Sequence, residues 1–194
     1  EVVESLQEYV FDNDRSGAGI AWTYFHPDKT FPRLLAHVQD VDLWKFALPH
    51  TPEISAYLST VPFDFERWDT LKEEMEQEEG YARYREIGRR YKEYGDYLAS
   101  EFVAQAQEVE FEGHRVLAVN APHRFASIVG NLLAQKHPPF AIVWYWENGF
   151  WQFSLRGTGE VDLAALAKKH GGGGHHNASG FHTAFNTFPF TLTK

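Results

Sequence analysis

The sequence predicts an α/β protein of two lobes joined by a long helix. Apolar residues recur at spacings of three and four through the middle of the chain, which indicates a helix. From residue 107 onward, strand-like and helix-like runs alternate and are separated by glycine-rich turns. We therefore expect a first α/β lobe over residues 1–68, a helical connector over 69–106 and a small α/β lobe over 107–194.

The first lobe is predicted to begin with a short strand and to continue as helical or apolar segments. The strand covers residues 8–12, and Ser16 or Asp14 then caps a helix that Pro27 and Pro32 close. The later segments are an apolar stretch over residues 34–44 and a short helix over residues 53–58.

The connector is rich in Glu, Lys, Arg and Tyr. One apolar stripe follows from residues spaced three and four apart: Tyr81, Tyr84, Ile87, Tyr91, Tyr94 and Leu98. Gly80, Gly88 and Gly95 interrupt it. This pattern favours a solvated helix that bridges the two lobes.

The last lobe is predicted from two turn signals, Glu112-Gly113 and Asn148-Gly149, each between two strand-like runs. The predicted strands are residues 108–111, 115–120, 140–146 and 150–156, with an edge strand over 185–192. The predicted helices are residues 125–135 and 161–170.

Composition excludes several classes of function. The 18 Lys and Arg residues against 27 Asp and Glu give a net charge of −9, which disfavours a broad basic surface for duplex nucleic acid. The absence of cysteine excludes disulfides and thiolate sites and is typical of the cytoplasm. No apolar run is long enough for a membrane span. Because the chain begins with Glu1 rather than Met, we expect a processed or truncated polypeptide.

The glycine-rich run that begins at Gly171 is the sharpest local signal. Gly171 alone is explained by a helix C-cap, but Gly172, Gly173 and Gly174 exceed what a cap needs. Such a run lets backbone N–H groups approach an anion. The side chains that could add hydrogen bonds to a phosphate or a ribose are His175, His176, Asn177 and the preceding Arg156. A flexible glycine linker is the alternative.

At these residues the sequence resembles a known family. Residues 153–156, residues 161–167 and the run GGGGHHNASGF from Gly171 resemble the C-terminal substrate-binding domain of DHH-type phosphoesterases. This family includes RecJ-like exonucleases, oligoribonucleases, cyclic-dinucleotide phosphodiesterases and one class of inorganic pyrophosphatases. Residues 14–19 and 37–44 resemble the segments that follow the Asp-His-His motif, so the resemblance covers nearly the whole chain.

The resemblance implies a fold, a cofactor and a departure from the family. It implies a truncated DHH-type lobe and a DHH-associated substrate-binding domain joined by the connector. The family holds two manganese ions with several aspartates and the Asp-His-His triplet, which this sequence lacks. Only the last metal-binding aspartate has a match, at Asp40 with Asp42 as the alternative. A helix-end or loop carboxylate is the competing interpretation of both residues.

Two functions follow from this resemblance. In the intact form, the family implies a manganese-dependent hydrolase of phosphoester bonds in short oligonucleotides, nucleotides or related small phosphates. The alternative is a non-catalytic remnant that binds phosphate or single-stranded nucleic acid. Arg156, His175, His176 and the amides of Gly172–Gly174 would hold the substrate. We also expect a homodimer, because a truncated first lobe would expose apolar side chains at Val10, Phe11, Ile20 and Trp22.

Overall fold

The computed structural model describes residues 10–190 of the chain. Backbone contacts divide the chain into two units, Glu1–Gly95 and Asp96–Lys194. We refer to them as the helical unit and the sheet unit. Together they form a mixed α/β protein, as the sequence predicts.

In residues 10–95, the regular structure of the helical unit is helical, and no strand is present. Its helices are α1 (Gly17–Phe25), α2 (Arg33–Asp42), α3 (Thr51–Leu58), α4 (Phe65–Glu76) and the first part of α5 (Glu78–Ala104). Of the predicted strand over residues 8–12, the first two residues lie outside the described range and the last three lie outside any regular element. Ser16 caps α1 by accepting a hydrogen bond from the Gly19 amide at 3.0 Å.

The core of the helical unit draws on the predicted connector. Leu71, Met75 and Tyr84 are buried beside Ile54 and Leu34. Residues 69–88 thus supply core positions, which differs from the solvated helix expected there. The physical reason is that the apolar stripe continues from α4 into α5 and packs against α2 and α3.

In residues 96–190, the sheet unit forms a sheet of six strands in the order β1-β2-β3-β4-β6-β5. They are β1 (Gln107–Phe111), β2 (His114–Asn120), β3 (Phe140–Glu147), β4 (Phe150–Gly157), β5 (Gly173–His175) and β6 (Ala178–Thr183). The helices are α6 (Ala126–Lys136) after a short 3-10 helix, and α7 (Leu163–Lys169). Among these six strands, β2 and β3 pair in parallel and the other neighbouring strands pair antiparallel.

Local turn chemistry sets the two predicted hairpins. Glu112 and Gly113 have φ of 51° and 78°, and Asn148 and Gly149 have φ of 52° and 85°. Positive φ at both central residues is the geometry of the tight hairpin turn that Asn-Gly and similar pairs favour. Both predicted hairpins are therefore confirmed.

One helix packs on each face of the sheet. Leu163 and Leu166 of α7 pack against Phe153 and Leu155 of β4. On the opposite face, Val129 and Leu133 of α6 join a second core. Because side chains alternate along a strand, Ser154 and Arg156 of β4 point to the α6 side.

The chain after β6 differs from the prediction. Residues 184–190 form no strand, and the last two residues of the predicted edge strand lie outside the described range. Phe188 and Phe190 instead pack their rings against the α7 side of the sheet, and β5 occupies the sheet edge.

Two further observations bear on the sequence expectations. None of the helices in residues 10–190 is long and apolar enough to cross a membrane.

Val10 and Phe11 are 56% and 65% exposed, whereas Ile20 and Trp22 are half-buried. The homodimer expected from these apolar side chains stays a prediction.

Candidate anion-binding site

The strand register brings Arg156 and His175 to the same face of the sheet. Arg156 of β4 lies opposite Ala178 of β6, and Ala178 lies opposite His175 of β5. Directly opposed residues share a face, so the three side chains form one row. Two strand spacings separate the ends of this row, which places their Cα atoms about 10 Å apart. We call this surface the Arg156 face.

The neighbouring row on the same face is almost free of side chains. Ser154 lies opposite Gly180, and Gly180 lies opposite Gly173. A Cβ atom built on Gly173 would meet no other atom within 4 Å. The backbone of β5 and β6 therefore forms an open shelf beside the side chain of Arg156.

Helix α6 positions the Arg156 side chain. Arg156 Nη1 donates to Ser154 Oγ and to the Leu155 carbonyl, each at 2.8 Å, and Nη2 donates to Ser127 Oγ at 2.9 Å. A Cβ atom on Gly130 would lie 2.8 Å from Arg156 Cγ, so the glycine leaves room for the aliphatic stem. Because both serine oxygens accept from the guanidinium, their hydroxyl hydrogens remain free to donate to an anion.

The charge of Arg156 has no counter-charge among the described residues. The contacts of its guanidinium within residues 10–190 include no ion pair. Burial lowers the pKa of Arg156, and the Tyr145 hydroxyl opposes that shift. A half-buried cation without a carboxylate is costly to the fold, and a bound anion would remove that cost.

The glycine run ends α7 and allows β5 to pack closely against β6. Gly171 has φ of 77°, and its amide donates to Lys168 while the Gly172 amide donates to Ala167. These two bonds close α7. The Gly172 amide therefore already has a partner within the chain, and its expected role toward an anion stays a prediction.

Gly172 and Gly174 are also needed for close strand approach. A Cβ on Gly172 would lie 2.1 Å from the Gly180 carbonyl oxygen, and one on Gly174 would lie 2.6 Å from the Ala178 carbonyl oxygen. Gly173 alone of the three meets open space. The run is an ordered strand edge rather than a linker.

His176 and Asn177 form the turn between β5 and β6, away from the Arg156 row. His176 Nε2 lies 3.2 Å from the Gly159 carbonyl oxygen, and its Nδ1 lies 3.8 Å from Asp162. The Asn177 carbonyl accepts from the Gly157 amide at 3.0 Å. Of the predicted substrate-binding residues, the register thus groups Arg156, Gly173 and His175.

Asp40 lies in the helical unit, and its carboxylate is fully engaged. Oδ1 accepts from the Ala47 amide at 2.9 Å, and Oδ2 accepts from the Leu48 amide at 3.0 Å and from Thr51 Oγ1 at 2.7 Å. Burial raises the pKa of Asp40, but these hydrogen bonds outweigh it and hold the pKa below its usual value. The carboxylate therefore stays ionised and holds the loop between α2 and α3.

His37 completes this buried network. Thr51 gives its hydroxyl hydrogen to Asp40, so its oxygen accepts from His37 Nδ1 at 2.8 Å. Burial lowers the pKa of His37, and the Asp40 carboxylate opposes that shift without cancelling it. His37 is neutral at pH 7 as a result.

These residues do not fit the two-manganese centre that the resemblance implies. Hard divalent cations need several oxygen ligands, and both oxygens of Asp40 are already acceptors. Asp42, the alternative, is exposed at the end of α2. Within residues 10–190, no three His, Asp or Glu side chains are grouped as metal ligands.

Sequence reasoning missed several residues of the Arg156 face. Ser154 and Gly180 follow from two-residue alternation and from strand pairing, so the strand pattern could have found them. Ser127 comes from α6, and the sequence carries no signal for its contact with Arg156.

Comparison with known proteins identifies one curated relative. No protein-family model matches the chain. An uncharacterised protein of Acanthamoeba polyphaga mimivirus is 36% identical over 182 residues, which cover 88% of this chain and 42% of that protein. The chain thus spans less than half the length of the curated relative that it matches.

Two solved structures show a distant likeness. An uncharacterised protein of Helicobacter pylori G27 has a TM-score of 0.38 and 19% identity, covering 98% of this chain and 67% of that chain. A pGpG-specific phosphodiesterase of Vibrio cholerae has a TM-score of 0.49 and 13% identity, covering 86% and 67%. A phosphodiesterase is thus among the structural neighbours, at a similarity too low to bear on the chemistry of this chain.

Proposed function

We propose that the chain binds the phosphate group of small phosphate esters, such as nucleotides or short oligonucleotides, on the Arg156 face. The observation that carries this proposal is a half-buried guanidinium with no carboxylate partner among the described residues, beside an open glycine shelf. A phosphate there would accept from Arg156 and from two serine hydroxyls. The resemblance to the substrate-binding domain of DHH-type phosphoesterases supports the same role.

The net charge favours small ligands over polymers. A chain of charge −9 repels a long polyanion, whereas a single phosphate meets only the local field of Arg156 and His175. His175 is exposed at the end of the row, where a nitrogen of its imidazole can donate a hydrogen bond to a bound anion.

Calorimetric titration with a nucleoside monophosphate tests this proposal. Wild type should bind, and Arg156→Met should weaken binding by about 1.5–3 kcal/mol, or roughly ten- to 150-fold, the range for a charged hydrogen bond. Arg115→Met is the matched control, because Arg115 is exposed and pairs with Glu108. Equal losses in both variants, or none in Arg156→Met, would contradict the proposal.

For the reaction, we propose that the whole protein hydrolyses phosphoester bonds with manganese, as the resemblance implies, and that this chain supplies substrate binding. The engaged oxygens of Asp40 support that division. Purified chain with excess manganese should release no measurable product from a diribonucleotide. Robust hydrolysis that is lost in Asp42→Ala would show that this chain carries a metal centre of its own.

A further inference from the structure

The helical unit contains a separate cavity with an unusual lining. Its volume is about 230 Å³, and it lies beside α1 and the loop that follows that helix. Three basic side chains contribute to its wall, namely Arg15, His26 and Lys29, and none of the described residues that line it is acidic. The net charge of the chain is −9, so a wall whose described ionisable side chains are all basic has the opposite sign of charge from the chain as a whole.

Of the two neutral polar side chains in the wall, Thr23 and Gln39, only Gln39 has a hydrogen-bond donor left for a ligand. Thr23 Oγ1 donates to the Gly19 carbonyl at 3.0 Å and accepts from Arg15 Nη1 at 2.9 Å, so its hydrogen is already used. Gln39 Oε1 accepts from the Ser16 amide at 3.1 Å, which leaves its NH₂ group as a donor. The ligand that complements this wall is therefore rich in acceptors.

The Gln39 contact is built into the fold. A Cβ atom on Gly19 would lie 2.2 Å from Gln39 Oε1, so only glycine lets the amide reach the start of α1. Because the oxygen of the Gln39 amide accepts from the Ser16 backbone, its NH₂ group is the end left for a ligand. Ser16 thus holds Gln39 through its backbone amide while its side chain caps α1.

The charges on the wall are only partly compensated. Arg15 Nε lies 3.6 Å from Asp12 in an exposed pair, which contributes little. Lys29 has no ion pair with any residue in the described part of the chain. The ring centroid of His26 lies 4.4 Å from that of Trp22, with the two ring planes tilted by 50°, and a nitrogen of its imidazole can donate a hydrogen bond to a ligand.

We propose that this cavity is a second anion site, for a phosphate group carried by a small molecule. At about 30 Å³ per water, its volume of about 230 Å³ corresponds to roughly eight waters, which exceeds a bare phosphate. The phosphate would lie toward Arg15 and Lys29, and the remainder of the molecule would lie on the rings of Trp22 and Phe31. Free inorganic phosphate shares the same recognition chemistry.

The experiment removes the Arg156 site first. The full chain carrying Arg156→Met is titrated with inorganic phosphate and with glycerol phosphate, and binding is followed by ¹H–¹⁵N amide shifts. We expect shifts in α1 and in residues 26–31, with glycerol phosphate the tighter ligand. Adding Lys29→Met should weaken binding at least about tenfold, as expected for a lost charged hydrogen bond. Adding Lys45→Met, an exposed lysine outside the cavity, should change nothing.

Each outcome decides between the two sites. If Arg156→Met abolishes all phosphate-induced shifts, or if Lys29→Met and Lys45→Met bind alike, the second site is overturned. If shifts in α1 persist and Lys29→Met removes them, the second site stands, whatever Arg156→Met does to the sheet unit. Arg15→Gln gives an independent check with the same expected loss.

Discussion

Asp40 and Arg156 are both charged groups withdrawn from solvent, yet their surroundings differ. Asp40 accepts three hydrogen bonds from its own unit and anchors the loop before α3. Arg156 donates only to neutral oxygens and meets no carboxylate in the described residues. A charge with hydrogen-bonded partners stabilises the fold, whereas a half-buried charge without a counter-charge costs stability. The sequence resemblance points to both residues, and their contacts in the structure differ.

The largest expected effect is the loss of Asp40. Asp40→Ala leaves two backbone amides and the Thr51 hydroxyl without their acceptor. Hydrogen bonds to a charged group contribute about 1.5–3 kcal/mol each, so the free energy of unfolding should fall by at least ~3 kcal/mol. Urea denaturation measures it, with exposed Asp42→Ala as the control. A change as small as that of the control would show that the Asp40 network is not structural.

Arg156→Met should show the opposite pattern in stability. Methionine keeps the apolar stem and removes a buried charge that has no partner, so the free energy of unfolding should stay unchanged or rise by up to ~1 kcal/mol. Ligand affinity should fall as described above. A clear loss of stability in urea would indicate that the serine contacts of Arg156 are structural, and the contrast with Asp40 would fail.

Gly172 and Gly173 offer a second comparison between a structural position and a proposed ligand-facing position. Gly172→Ala places a Cβ against the Gly180 carbonyl and should destabilise the sheet unit by about 1–3 kcal/mol. Gly173→Ala meets open space and should leave stability within about 0.5 kcal/mol while weakening phosphate binding on the shelf. Thermal melts and calorimetry of the pair measure both quantities. Equal melting temperatures would refute the packing role given to Gly172.

The smallest expected effect is a dependence of stability on pH. The pKa of Asp40 is lowered from 3.8, so its stabilisation is complete above that value and is lost as pH falls toward the folded-state pKa. The pKa of His37 is lowered from 6.5, so the unfolded state binds that proton first and stability also decreases as pH falls below 6.5. Urea midpoints between pH 7 and pH 3 should therefore decrease, and Asp40→Asn should show a shallower decrease at the acidic end. Identical slopes would argue against an ionised Asp40.

Local signals explain what the sequence predicted well. Ser16 caps α1, and both hairpin turns form where the turn residues lie, because caps and tight turns depend on a few adjacent residues. The role of Asp40 depends on the path of a loop that returns seven to eleven residues later, which no local pattern encodes. The same limit applies to Ser127, which reaches Arg156 from another element.

The residues of the glycine run differ in what they do in the structure. Its composition predicted close backbone approach, and the structure uses that property at Gly172 and Gly174 to seat β5 against β6. Only Gly173 and His175 share the face of Arg156, because residues on a strand alternate between faces. Strand register, rather than composition, determines which members of the run can meet a ligand.

A ¹H–¹⁵N titration of the full chain with a nucleoside monophosphate tests the central claim most directly. We expect the amides of Gly173, His175 and Gly180 to shift together with those around Ser127 and Arg156, and these shifts to disappear in Arg156→Met. The amide of His176 in the β5–β6 turn and the amide of Gly159, whose carbonyl lies 3.2 Å from His176 Nε2, should move far less. Shifts centred on that turn, or shifts in the sheet unit that persist in Arg156→Met, would contradict a phosphate site on the Arg156 face.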